Sequence, residues 1–222
     1  MKKIALLLLS LLSTSVFAGV VQVYPVHLFA SDQQASQSVH LKNEGDTPLT
    51  YQASMYRWAQ SKGRDELTPT SDVLVSPVIV TVPAHSERIV RFMRLHPLPG
   101  HVDTYKLLLR QLATGSDSSS ASHGKGTQTR MRVLVNQLLP VVFAPSSLPP
   151  AHVTAHMDGH ALVLSNDGGS VLQLQSIGSS GKPVDKQGAL GWLLPGGGLT
   201  LQGSYHSGES LSINRTLTVS VE

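Results

Sequence analysis

From Gly19 onward, apolar residues alternate with polar ones far more often than they recur at helical spacing, and Gly, Pro, Asn and Asp punctuate the pattern. The alternation predicts an all-β chain. Its first part holds candidate strands at Val20–Tyr24, Gln37–Asn43, Leu49–Trp58, Val78–Val82, Glu87–Leu95, Tyr105–Leu112 and Arg130–Phe143. Turn chemistry lies between them at Asn43-Glu44-Gly45-Asp46 and at His96-Pro97-Leu98-Pro99-Gly100. Seven short strands suit a constant-type immunoglobulin-like sandwich, two antiparallel sheets each burying one face.

The stretch Ala144-Pro145-Ser146-Ser147-Leu148-Pro149-Pro150 cannot continue a ladder, because three prolines lack the amide donor. Beyond it come shorter strands: His152–Met157, His160–Ser165, Val171–Ile177, Leu190–Leu194, Leu199–Leu201, Leu211–Ile213 and Arg215–Val221. The expected organisation is therefore a signal peptide over 1–18, a first domain over 19–145, a linker over 146–150 and a smaller β-sandwich over 151–222. Residues 115–126 carry no large apolar side chain, so a loop between the sixth and seventh strands is expected there to be mobile.

Lys2 and Lys3 precede an apolar run from Ile4 to Leu12 that ends in Val16-Phe17-Ala18, the pattern of a secretory signal cleaved after Ala18. That run is roughly half of what a membrane-spanning helix needs, so membrane insertion is not expected. Export places the chain in an oxidising compartment, yet it has no cysteine. Stability must come from burial, and a lipid anchor, an iron–sulfur site and a cysteine nucleophile are excluded. Without Lys2 and Lys3 the 17 basic residues fall to 15 against 14 acidic ones, which argues against a nucleic-acid partner.

Catalytic chemistry finds little support. A serine hydrolase needs its nucleophile on a strand-to-helix turn, and the serines here, such as Ser118-Ser119-Ser120, lie in loops. The only adjacent carboxylates, Asp65-Glu66, read as a solvated turn. His152, His156 and His160 recur every four residues, but on strands joined by an Asp158-Gly159 turn they cannot converge on one ion, so they read as surface histidines. No enzyme activity, metal, cofactor or small-molecule substrate is expected.

The seventh strand is unusual, with Met131, Val133 and Val135 at spacing two and a second apolar set at Leu134, Leu138 and Leu139. One reading is a central strand buried on both faces. The other is an exposed apolar row on an edge strand, an aggregation hazard unless its purpose is to pair with another chain. The residues alone admit both.

Several ordered features resemble one family. They are Ser-Pro-Val-Ile at 76–79, the stretch from Pro83 to Ile89-Val90-Arg91-Phe92, Tyr-Lys-Leu-Leu-Leu at 105–109 and the closing Leu139-Pro140-Val141-Val142-Phe143-Ala144-Pro145. Together they resemble the periplasmic pilus-assembly chaperones of the chaperone-usher pathway, the PapD-like superfamily. In the second domain, Gly191-Trp192-Leu193-Leu194-Pro195-Gly196 is similar to the branch that assembles archaic pili.

The resemblance implies two immunoglobulin-like domains in tandem, set at an angle. It implies a seventh strand lent to a pilus subunit that lacks its own last strand, with Met131, Val133 and Val135 as the donated side chains. The implied partners are pilus subunits and an outer-membrane usher, and the implied location is the periplasm. An arginine and a lysine that hold the subunit's terminal carboxylate in better-known branches are replaced here by His27 and Pro140. The remaining candidates for that anchor are Lys106, Arg110 and Arg132, the alternative being solvated strand cations. Gln111-Leu112-Ala113 stands where the family has Glu-Ile-Pro, which removes a carboxylate that often braces the two domains.

Two rival readings come from other classes. A fimbrial subunit or adhesin would carry an N-terminal donor extension, for which Gly19–Tyr24 is too short. A carbohydrate-binding sandwich leans on exposed aromatic platforms, and two Trp, five Tyr and four Phe leave little for one.

Overall fold

The computed structural model describes residues 21–113, 133–179 and 186–222, and every described element is a strand. The first part contains β1 (Val21–Tyr24), β2 (Leu28–Ser31), β3 (Ser36–Asn43), β4 (Leu49–Ser61), β5 (Arg64–Pro69), β6 (Val73–Ser76), β7 (Ile79–Val82), β8 (Ser86–Arg94), β9 (Asp103–Leu112) and β10 (Asn136–Ala144). One sheet runs β1-β3-β8-β6. The other runs β2-β10-β9-β4-β5, with β7 also pairing β4.

Alternation builds the core between these sheets. On β9 the residues Tyr105, Leu107 and Leu109 point inward, as do Tyr51, Ala53 and Met55 of the neighbouring β4, while β3 and β8 supply Val39, Leu41, Val90 and Phe92. Phe143 of β10 stands edge-on to both Phe92 and Tyr105, with ring centroids 6.4 and 6.1 Å apart.

The second part contains β11 (Val153–Asp158), β12 (Ala161–Asn166), β13 (Leu172–Ser179), β14 (Lys186–Leu193), β15 (Gly197–Gln202), β16 (Ser210–Ile213) and β17 (Leu217–Ser220). A sheet β11-β12-β15 packs on a sheet β14-β13-β16-β17 around a separate cluster that includes Leu162, Leu164, Leu174, Ile177, Leu211 and Ile213. Two immunoglobulin-like sandwiches in tandem are thus the architecture.

Three strands lie outside the expected seven of the first domain. Strands β2 and β6 have four residues each, and all six residues of β5 are exposed, so β5 has no apolar face to betray it. Asp65 and Glu66 accordingly sit on the edge strand β5, not in a solvated turn. The seventh expected strand starts at Asn136 instead of Arg130, and Val133–Val135 precede it outside the ladder. The expected loop over 115–126 and the expected signal peptide over 1–18 lie outside the described residues.

Candidate functional site

Strand β10 decides between the two readings of the apolar row. It pairs antiparallel with β9 along its length, from Asn136↔Arg110 to Phe143↔Asp103. On its other side β2 pairs with it only from Val141 to Ala144. Among the described residues, the Asn136–Pro140 half therefore presents an open edge, and the segment leading into it is uncovered: Val133 is 75% exposed, Val135 50% and Leu138 42%. The row is not buried on both faces. Met131 lies outside the described residues.

The candidate cations line the same sheet beside this edge. Pro140 faces Lys106 in the ladder and Asn136 faces Arg110, so both cations share the outer face of β9. Lys106 is 13% exposed at its side chain, pairs with Asp65 of β5, and lies 4.3 Å from the centroid of the Trp58 ring. Arg110 is exposed and donates to the neutral oxygen of Gln52, which leaves its charge uncompensated by any carboxylate among the described residues. Arg132 lies outside the described residues.

Lys106 and Gln60 both bond Asp65. Burial raises the pKa of its carboxyl, but hydrogen bonding from its neighbours, Lys106 first, then Gln60 and the Trp58 side chain, together with the Lys106 charge, outweighs burial and holds it below the ordinary value. Gln60 Nε2 lies 3.0 Å from Asp65 Oδ1 and also donates to the Trp192 carbonyl at 2.7 Å, while the Leu194 amide donates to Gln60 Oε1 at 3.0 Å. Gln60 thus links the site beside β10 to the second domain by hydrogen bonds.

An aromatic cluster seals that contact. Trp192 stands edge-on to Trp58, with centroids 6.2 Å apart, and edge-on to His27 at 5.5 Å, while Phe29 tilts against it at 5.8 Å. Trp58 points away from the first core yet is 1% exposed, because Lys106 and Trp192 cover it. His27 packs on Trp192, and Pro140 sits opposite Lys106 in the ladder with no amide to donate.

The sequence profile described as "Pili and flagellar-assembly chaperone, PapD N-terminal domain" matches residues 20–149, more than half of the chain. The chain belongs to this family. It is a family of chaperones, not of enzymes, and the subunit and carbohydrate-binding alternatives are not favoured. No curated protein matches the chain in sequence.

Among solved structures, the chain is similar to the CsuC–CsuE chaperone-tip adhesion subunit complex of archaic Csu pili from Acinetobacter baumannii. The TM-score is 0.70 at 15% identity, covering 91% of this chain and 99% of that one. It is also similar to the Salmonella enterica SafA pilin–SafB chaperone complex, with TM-score 0.63, 15% identity and coverage of 91% and 93%. The periplasmic chaperone SfaE gives TM-score 0.62 at 12% identity, covering 91% and 99%. At such identities these likenesses concern the fold.

Sequence reasoning missed Trp58, Gln60 and Asp65. Their roles depend on the second domain lying against β4, a relation between distant segments for which no local pattern stands. Gln111 bonds at the root of β10, where the Val135 amide donates to its Oε1, while the hydrogen bonds to Trp192 and Leu194 come from Gln60 on β4.

Proposed function

We propose that this chain is a non-enzymatic periplasmic chaperone that caps pilus subunits by donor-strand complementation and hands them to an outer-membrane usher. The observation that carries the reading is the open β10 edge preceded by exposed Val133 and Val135. An incomplete sandwich exposes unpaired backbone groups and core side chains, and a lent strand satisfies both. Each donated valine contributes roughly 1.5–3 kcal/mol when fully buried in the subunit's groove, and Met131 extends the row by position.

The subunit's terminal carboxylate needs a charge-assisted partner. Arg110 offers a full charge, and Lys106 has three donors of which Asp65 engages at least one, so the two form the anchor, with Arg132 a third cation by position. The printed descriptions of the similar complexes, chaperones bound to a tip subunit or a pilin, support this reading, as does the periplasmic description of SfaE. The similarity to the Csu chaperone complex supports the archaic branch. The signal peptide at 1–18 and the division of domains at 146–150 belong to the same proposal.

The test replaces Val133 and Val135 together by Asp. Both side chains are exposed, so the purified variant should keep its circular dichroism spectrum and melting midpoint. It should lose co-purification with an exported pilin co-expressed from the neighbouring gene. Undiminished complex yield would sink the donor role.

A further inference from the structure

The β9–β10 ladder ends at the pair Asn136↔Arg110, and the next facing pair is Val135 and Gln111. There, side-chain oxygens take the amides. The Val135 amide donates to Gln111 Oε1 at 2.9 Å, and the Gln111 amide donates to Asn136 Oδ1 at 3.2 Å. The exchange is reciprocal, each strand giving one amide and one side-chain oxygen. It lets residues 133–135 leave the sheet while both amides at the point of departure stay bonded. Gln111 is a firm post for this purpose, since it is 9% exposed and its backbone is fixed between β10 and Tyr51 of β4.

Register matters here because of the two-residue period of a strand. Val133 and Val135 have the parity of Leu139, Val141 and Phe143, which face the first core. A slip of one residue at the root of the segment would turn Leu134 to the side meant for the valines. We propose that Gln111 and Asn136 form a register clamp that pins the root of the donor segment and so sets which side chains enter the subunit. The inference rests on the donor-strand reading above and adds two positioning residues to it. A pinned root also loses less conformational freedom when the segment is captured, which favours binding.

Both side chains act as acceptors, and that property separates a clamp from simple packing. Gln111→Met and Asn136→Leu keep the size and remove the acceptor, whereas Asn136→Asp keeps it. In the free chaperone, amide hydrogen exchange followed by NMR should quicken about 2- to 10-fold at Val135 in Gln111→Met, the range expected for one neutral hydrogen bond. It should quicken similarly at Gln111 in Asn136→Leu and return to the original rate in Asn136→Asp. The yield of complex with the co-expressed pilin should fall several-fold in the first two variants and recover in the third, at unchanged melting midpoint.

Unaltered exchange at both amides would overturn the clamp. Faster exchange with undiminished complex yield would overturn its positioning role. Neither result touches the donor reading, which stands or falls with the Val133→Asp, Val135→Asp double variant. Should Gln111→Met fail to fold, the exposed Asn136 still supplies both measurements.

Discussion

Gln60 of the first domain holds Leu194 of the second: the Leu194 amide donates to Gln60 Oε1 at 3.0 Å while Gln60 Nε2 donates to the neighbouring Trp192 carbonyl at 2.7 Å. The arrangement needs a side chain that donates and accepts at once, which an amide supplies and a carboxylate does not. Gln60→Glu keeps the shape, removes the donor and sets a negative charge beside Asp65. We expect the two domains to loosen, seen as a broader distance distribution between one spin label in each domain. An unchanged distribution would show that the Trp58–Trp192 packing holds the domains without Gln60.

The turn between β4 and β5 presses on the same interface. Gly63 has φ +72°, and a Cβ built on it would lie 2.0 Å from Thr200 Oγ1 on β15. Two separate penalties therefore act on Gly63→Ala, the left-handed backbone and the collision. Combining it with Thr200→Gly removes only the collision. Melting in denaturant should show the double variant more stable than Gly63→Ala when both are referred to their Gly63 parents, with about 1 kcal/mol of backbone cost persisting.

Acid should weaken the contact between Lys106 and Asp65. The folded carboxyl of Asp65 titrates below its ordinary value of 3.8, so its contribution to stability is complete above that value and is lost as pH falls through the folded pKa. Thermal melts between pH 6 and pH 2 should therefore lose stability less steeply below about pH 4 in Asp65→Asn than in the parent. Lys106→Met should show the same flattening, because without the cation the Asp65 carboxyl returns toward its ordinary value. Equal acid slopes in all three proteins would rule the pair out as a source of stability.

Much of the fold was legible because one face of most strands is buried. Strands β3, β8 and β9 show the apolar alternation that this produces, and no end of their observed ranges lies more than two residues from the expected one. Strand β5 was illegible for the converse reason, since no face of it is buried. Lys106 and Arg110 share one face of β9, but nothing local in the sequence revealed that Asp65 would claim one of them. The apolar row at 133–135 admitted two readings until β2 was seen to cover only half of β10. One repeat also passed unnoticed: Asn43-Glu44-Gly45-Asp46-Thr47 in the first domain and Asn166-Asp167-Gly168-Gly169-Ser170 in the second are equivalent turns. Only Asn, an acidic residue, Gly and a hydroxyl residue coincide, too little for sequence comparison within the chain to detect.

These two asparagines carry the final prediction. Each is buried, at 0% and 1% exposure, and the two share three equivalent bonds, to which Asn43 adds one to the Pro83 carbonyl and Asn166 one from the His152 amide. Asn43 Nδ2 donates to the Thr47 and Val82 carbonyls at 2.8 and 3.2 Å, and its Oδ1 accepts from the Gly45 amide at 3.0 Å. Asn166 Nδ2 donates to the Ser170 and Leu193 carbonyls at 2.9 and 3.2 Å, and its Oδ1 accepts from the Gly168 amide at 3.0 Å. Replacement by Leu keeps the branched shape but removes every one of these hydrogen bonds, so each variant should lose about 2–4 kcal/mol in denaturant titration. Asp should be almost as harmful, because it keeps the acceptor and loses both donors. The two sites belong to different cores, so the Asn43 variants should unfold the first domain and the Asn166 variants the second, read from Trp58 and Trp192 in single-tryptophan backgrounds. A loss below 0.5 kcal/mol at either site would mean that water replaces the asparagine there, and the turn would then be held by its glycine alone.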